Sequence, residues 1–176
     1  MNTTETLQRF EELANHYLEE LNQFSIEQLL EKPTEEEWSL GQMYIHLIQT
    51  ALYMQLRNID QCRTMKESAQ EQAGAKSEAG MAVFAQGGFP AIRIQVPPSA
   101  QYTPQQPESK EQIIEGLQTV LQRMREIEPI LHEIPTEHTV DHPRFGGLNA
   151  QEWFALIEMH YRHHLHQKKR LTEKKV

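Results

Sequence analysis

The chain has 176 residues, of which 38% are apolar and 24% charged, and its formal net charge is -8 with the histidines neutral. That is enough length and apolar content for one core in a single domain over 1–176, and it excludes a disordered polyelectrolyte. Apolar runs fall far short of the roughly 18 residues that span a bilayer, and the acidic balance argues against a broad nucleic-acid surface, which needs clustered positive charge.

The opening stretch, MNTTETLQRFEELANHY, is polar with helical spacing and does not read as a secretory leader. Leu7, Phe10, Ala14, Tyr17, Leu21 and Phe24 recur at spacings of three and four, which lays one apolar stripe along a first amphipathic helix. Ser25 and Gln28 have capping-box spacing for a short second piece that Pro33 stops. Ser39 and Gln42 repeat that spacing ahead of a long helix whose stripe runs Met43, His46, Leu47, Thr50, Tyr53, Met54. A histidine therefore falls in the middle of a face that should be buried. The only cysteine, Cys62, excludes an internal disulfide, fits a reducing cytoplasm, and reads as an ordinary helix residue because no motif flanks it.

From about Lys66 to Gln106 the helical period disappears, and Gly, Ala, Ser, Gln and Pro dominate. This predicts a long irregular connector, with one short strand where Ile92, Ile94 and Val96 alternate with Arg93 and Gln95. Phe84 and Phe89 imply that part of it packs. Ser109 and Gln112 open a third long helix by the same capping-box rule, with Ile113, Leu117, Val120, Leu121, Met124 and Ile127 as its stripe and Pro129 or Pro135 at its end. A second connector carries Pro143, Gly146 and Gly147 as turn residues. Asn149 and Glu152 cap the last helix, whose inner stripe is Trp153, Leu156, Ile157, His160, His164, Gln167 and Leu171. Four long amphipathic helices make an all-α four-helix bundle, and the long connector lets helices two and three run either parallel or antiparallel. Lys168, Lys169, Arg170, Lys174 and Lys175 read as a solvated helix end complementing the macrodipole.

Four histidines crowd HYRHHLHQ. His160 and His164 are four apart, hence on one helix face at a spacing of about 6 Å that can hold one ion. If the helix bearing His46 faces theirs, three imidazoles converge and leave a coordination position for water or substrate. A core histidine with one hydrogen-bonded nitrogen is the competing reading of each. Three imidazoles without a thiolate suit zinc or nickel, with iron, cobalt or manganese compatible. Gln167, one turn beyond His164, is placed to hydrogen-bond a ligand histidine or to close the core. His163 falls at the rim and His166 on the surface. His16, His132 and His138 have no partner at useful spacing, and His142 lies in a loop.

The stretches EEWSLGQMYIHL, GGFPAIRIQVPP and DHPRFGGLNAQEWFALIEMHYRHHLHQKKRL together resemble the DinB/YfiT-like superfamily of four-helix bundles, and within it a branch known as a domain of unknown function. The likeness spans nearly the whole chain. It implies up-down-down-up connectivity, a divalent metal held by His46, His160 and His164, and a homodimer. Its superfamily name is shared with an unrelated DNA polymerase, so no polymerase function follows. Relatives include S-transferases using low-molecular-weight thiols such as bacillithiol or mycothiol, and metal-dependent hydrolases. A small-molecule S-transferase is thus the first expectation, a hydrolase the second, and a non-catalytic or stress-related module with a structural metal the third. With no Ser-His-Asp or paired-carboxylate motif, the metal would carry the chemistry, assisted at most by Gln167, Tyr161 or Arg162, while Arg162 and Arg93 could bind a substrate carboxylate.

Overall fold

The computed structural model describes residues 1–65, 74–90 and 103–173. Helix α1 (Thr3–Leu21) buries Phe10, Ala14, Tyr17 and Leu21 as its spacing requires. It is capped by Asn2, whose side chain accepts from the Glu5 amide. A short α2 (Ile26–Leu30) begins with the reciprocal Ser25 and Gln28 box. The second long helix is continuous from α3 (Leu40–Thr50) through a π-helical segment (Ala51–Leu56) into α4 (Arg57–Thr64). The third is α6 (Lys110–Ile127), prolonged by a 3-10 turn (Glu128–Glu133) with Pro129 in its first turn, and the fourth is α7 (Ala150–Glu173).

Side-chain partners fix the directions. Between α1 and α7, Arg9 faces Glu158 and Lys168 faces Glu20, so the two run parallel. Between α1 and α6, Glu11 meets Arg125 while Lys110 reaches the carbonyls of Asn22 and Phe24, so they are antiparallel. Asp60 pairs with Arg123 and Gly41 approaches Pro107, so the second helix parallels α6. His46 faces His160 while Cys62 lies against the Leu148 carbonyl, so it opposes α7. The bundle is therefore up-down-down-up, and the choice left open by the long connector falls to parallel for helices two and three. The buried apolar side chains form one cluster shared by all four helices. Among the described residues no helix is long and apolar enough to cross a membrane.

The second helix departs from its expected phase. Met43 and Leu47 are buried, but Tyr53 is 69% exposed and Ala51, Gln55, Leu56, Ile59 and Cys62 face inward instead. The π-helical segment adds residues per turn, so the inward face moves along the sequence past Thr50. A regular 3.6-residue period cannot anticipate this. At Ser109 the capping box is only half formed. Its Oγ accepts from the Gln112 amide, whereas Gln112 Oε1 takes the amide of Glu108.

The connector carries order that periodicity did not show. Helix α5 (Glu78–Gln86) begins at Ser77, whose side chain accepts from the Gly80 amide, and ends at Gly87 in the left-handed region. Within α5 only Gly80 and Val83 are buried, so it presents no apolar stripe to read. The strand expected at Ile92, Ile94 and Val96, like Arg93, lies outside the described residues. The second connector is not only a turn but an antiparallel hairpin, β1 (Thr139–His142) with β2 (Gly146–Asn149). Residues 74–77 run beside it, with Lys76 bridging Gly146 and the Gly147 amide donating to Ala75. A Cβ at Gly147 would lie 2.0 Å from the Gly74 carbonyl oxygen, so only glycine fits that approach. The hairpin and α5 stand beside α7, where Arg162 reaches the Gly87 carbonyl and His142 lies against Trp153.

Candidate metal centre

His46 sits on the second turn of α3, whose start is set by Ser39 and Gln42 bonding reciprocally at 3.0 Å. Gln42 and Ser39 also bind the Pro104 carbonyl and the Gln106 side chain, each at 2.7 Å, so the connector's return anchors this helix end. Helix α7 starts from an equivalent exchange, Asn149 to Glu152, again at 3.0 Å in both directions. With the second helix and α7 antiparallel and both registers pinned, His46 meets His160 and His164 midway along their shared face.

The three imidazoles converge. His160 Nε2 lies 3.1 Å from His46 Nε2 and 3.1 Å from His164 Nε2, and one nitrogen from each ring falls within 4.8 Å of the others. All three keep partial solvent access. His164 Nδ1 is 2.7 Å from Gln167 Oε1, which makes Nδ1 the donor and leaves Nε2 as a bare lone pair aimed at the cluster. One proton on His160 Nε2 could serve one neighbour, not both. The other nitrogen of His160, Nδ1, is buried without a partner. Protein hydrogen bonds therefore leave this cluster under-satisfied, whereas one cation accepting all three Nε2 lone pairs would satisfy them together.

The electrostatics point the same way. Burial lowers His46 to about 3, reinforced by His164. Burial also lowers His164 to about 4, against the opposing hydrogen bond from Gln167 and with help from His163. His160 is held well below the ordinary range by burial, then by His164 and His46. All three are thus neutral at pH 7, the form in which imidazole binds a cation. Among the described residues no cysteine or carboxylate joins the group, so three protein donors leave coordination positions open.

Two aromatic rings flank the cluster. Trp38, just before the Ser39 cap, lies 5.0 Å from His46 between ring centroids. Phe89, two residues past the α5 C-cap, lies 6.3 Å from His160 and 5.3 Å from His163. The sequence marks neither as a site residue: Trp38 stands in EEWSLGQMYIHL with no motif of its own, and Phe89 reads as packing. His163 takes the rim position expected of it and His166 is exposed.

Other residues stand apart from the cluster. Tyr161 is fully buried, with its ring against Phe10 and Tyr17 of α1. Arg162 forks onto the buried carboxylate of Glu158 at 2.8 and 3.1 Å and reaches the Gly87 carbonyl at 2.6 Å, tying α7 to the end of α5. That occupation, rather than an anion site, is what its geometry provides. His142 accepts from the amides of Arg144 and Phe145, closing the hairpin turn. His138 bonds the Cys62 carbonyl. Lys168 does not belong to a solvated end. It is 3% exposed and packed against Glu20, His16 and the ring of Tyr17. His16, which lacked a partner in sequence, finds it there.

A family model described as the DinB superfamily matches residues 6–167 of this chain. No curated protein and no solved structure gives a significant match.

Proposed function

The chain belongs to the DinB superfamily, and from that premise we propose that His46, His160 and His164 hold one divalent cation at which a small-molecule group transfer takes place, with a thiol as the nucleophile. The observation that carries this reading is the open donor set. Three neutral imidazoles come from two helices, and no fourth protein ligand stands beside them among the described residues. When bound, the ion would act as a Lewis acid and hold a thiol as its thiolate at neutral pH. Zinc or nickel suits three imidazoles best.

The chain's own residues contribute orientation. Gln167 fixes the tautomer of His164, the caps of α3 and α7 fix the heights of the ligands, and Trp38 and Phe89 flank the cluster through His46 and His160. A metal-activated thiol requires no carboxylate base, and none stands in the cluster. Hydrolysis is the second reading, favoured by one observation. His163 is a half-buried imidazole beside His164, kept neutral mainly by burial, and could accept a proton from water.

Elemental analysis of untagged protein tests the premise. Near-stoichiometric metal is expected in the wild type, with loss in His46→Ala and in His160→Ala. Metal retained by both variants would mean that other residues bind it, and a fourth protein ligand in a metal-loaded crystal structure would sink the catalytic reading. Screening thiol co-substrates with electrophiles, beside ester and amide hydrolysis, then separates transfer from hydrolysis.

A further inference from the structure

We infer that Trp38 and Phe89 form an aromatic clamp that receives a planar, apolar, uncharged group of the substrate beside the three-histidine centre, an inference that rests on the metal reading above. Both rings are held by main-chain structure. Phe89 follows an α5 terminus in which Gly87 adopts φ +66°, the Gly88 amide bonds the Val83 carbonyl, and the Gly87 carbonyl is gripped by Arg162. Trp38 immediately precedes the Ser39 cap, itself bonded to Gln106. Each ring touches a different side of the cluster, Trp38 through His46 and Phe89 through His160 and His163. Both rings remain partly accessible, so ring surface is available to a ligand held at the centre.

Charge argues for the class of group. Several cations near the site are paired, Arg162 with Glu158 and Gly87, Lys76 with Glu152, and Lys168 with Glu20 and His16, while Arg144 lies over the Phe145 ring at 6.0 Å and Arg170 has Glu37 at 3.8 Å. A carboxylate or phosphate entering between the two rings would meet aromatic faces, whose quadrupole presents negative charge. A planar apolar group gains there from offset or edge contacts.

Hydroxamates of graded size test this on the metal-loaded full chain by calorimetry, since they chelate through the same head group. Acetohydroxamate reports the open coordination position alone, benzohydroxamate adds an aryl group, and 4-carboxybenzohydroxamate adds an anion to that ring. Benzohydroxamate is expected to bind about tenfold tighter than acetohydroxamate, with that preference falling to within about twofold in Phe89→Leu and in Trp38→Leu. Both substitutions keep an apolar side chain without a ring, and unchanged metal content and melting temperature show that the variants remain folded. The carboxylated compound should bind more weakly than its parent. Equal affinity for the first two compounds, a preference surviving both substitutions, or tighter binding of the carboxylate overturns the clamp while leaving the metal centre standing. Failure of acetohydroxamate to bind at all overturns the open centre, and the clamp falls with it.

Discussion

Replacing Gln167 by leucine removes the acceptor that faces His164 Nδ1 at 2.7 Å while preserving the size of a half-buried side chain. Without it, His164 is free to carry its proton on Nε2, the nitrogen a cation needs bare, and its ring loses one restraint on rotation. Loss of such an outer partner ordinarily weakens metal binding by about 10–100-fold. The rings of His46 and His160 still pack against His164 and restrain it, so the lower end applies. About tenfold corresponds to about 1.4 kcal/mol of binding free energy. An ordinary neutral hydrogen bond contributes about 0.5–1.5 kcal/mol to folding, so the apo protein should lose little stability. Gln167→Glu places a carboxylate against Nδ1 and should bind metal at least as tightly as wild type. Competition against a chelator of known affinity, read on untagged protein, measures all three. If Gln167→Leu binds metal as tightly as wild type while His164→Ala has lost it, the glutamine merely closes the core and does not orient a ligand.

Three further outcomes follow from the same geometry. Gly147→Ala forces a Cβ to 2.0 Å from the Gly74 carbonyl, and thermal unfolding should show a loss of about 2–3 kcal/mol, or about 4–12 °C, which a wild-type melting curve would contradict. Arg162→Ala leaves Glu158, 2% exposed, with only the distant guanidinium of Arg9 at 3.9 Å; the melting temperature should fall by about 5–10 °C with metal affinity unchanged, whereas unaltered stability with weakened substrate binding would restore Arg162 as an anion site. The Cys62 thiol is pushed up to about 11, chiefly by burial, so native protein at pH 8 should alkylate with iodoacetamide far more slowly than urea-unfolded protein. Because that folded value exceeds the unfolded one, the contribution is complete below about pH 8.5 and is lost as pH rises toward 11, and stability that increases over this range would contradict it.

Where one amphipathic stripe and its cap agreed, the fold could be read directly: Phe10 through Leu21, Ile113 through Ile127, and Trp153 through Leu171 all lie on the faces their spacing assigns. What escaped was whatever lacks a period of its own. The π-helical segment shifts the second helix by an increment that leaves no mark in composition, so Tyr53, on the expected stripe, faces out, while Gln55, which is not part of it, is buried. Helix α5 hides because it buries only Gly80 and Val83, and the hairpin hides because TVDH and GGLN are too short and too polar to alternate clearly. Both are stabilised by main-chain contacts to residues 74–77, which only the folded chain brings alongside.

The centre divides along the same line. That His160 and His164 share a face follows from their spacing, and His46 from its place on an inward stripe ahead of the π-helical segment, where the phase still holds. The register that joins them does not. It arises from capped starts at Ser39 and Asn149 on two antiparallel helices, each of which sets the height of its own histidine. Lys168 shows the converse. One turn past His164, it lies on the same inward sector, yet its charge suggested solvent, because Glu20 and His16 reach it only once α1 packs parallel to α7. Helical phase was thus a better guide than residue polarity throughout α7. It buried a lysine for which a partner existed on the neighbouring helix, and it turned two of four clustered histidines toward a third that composition gives no reason to associate with them.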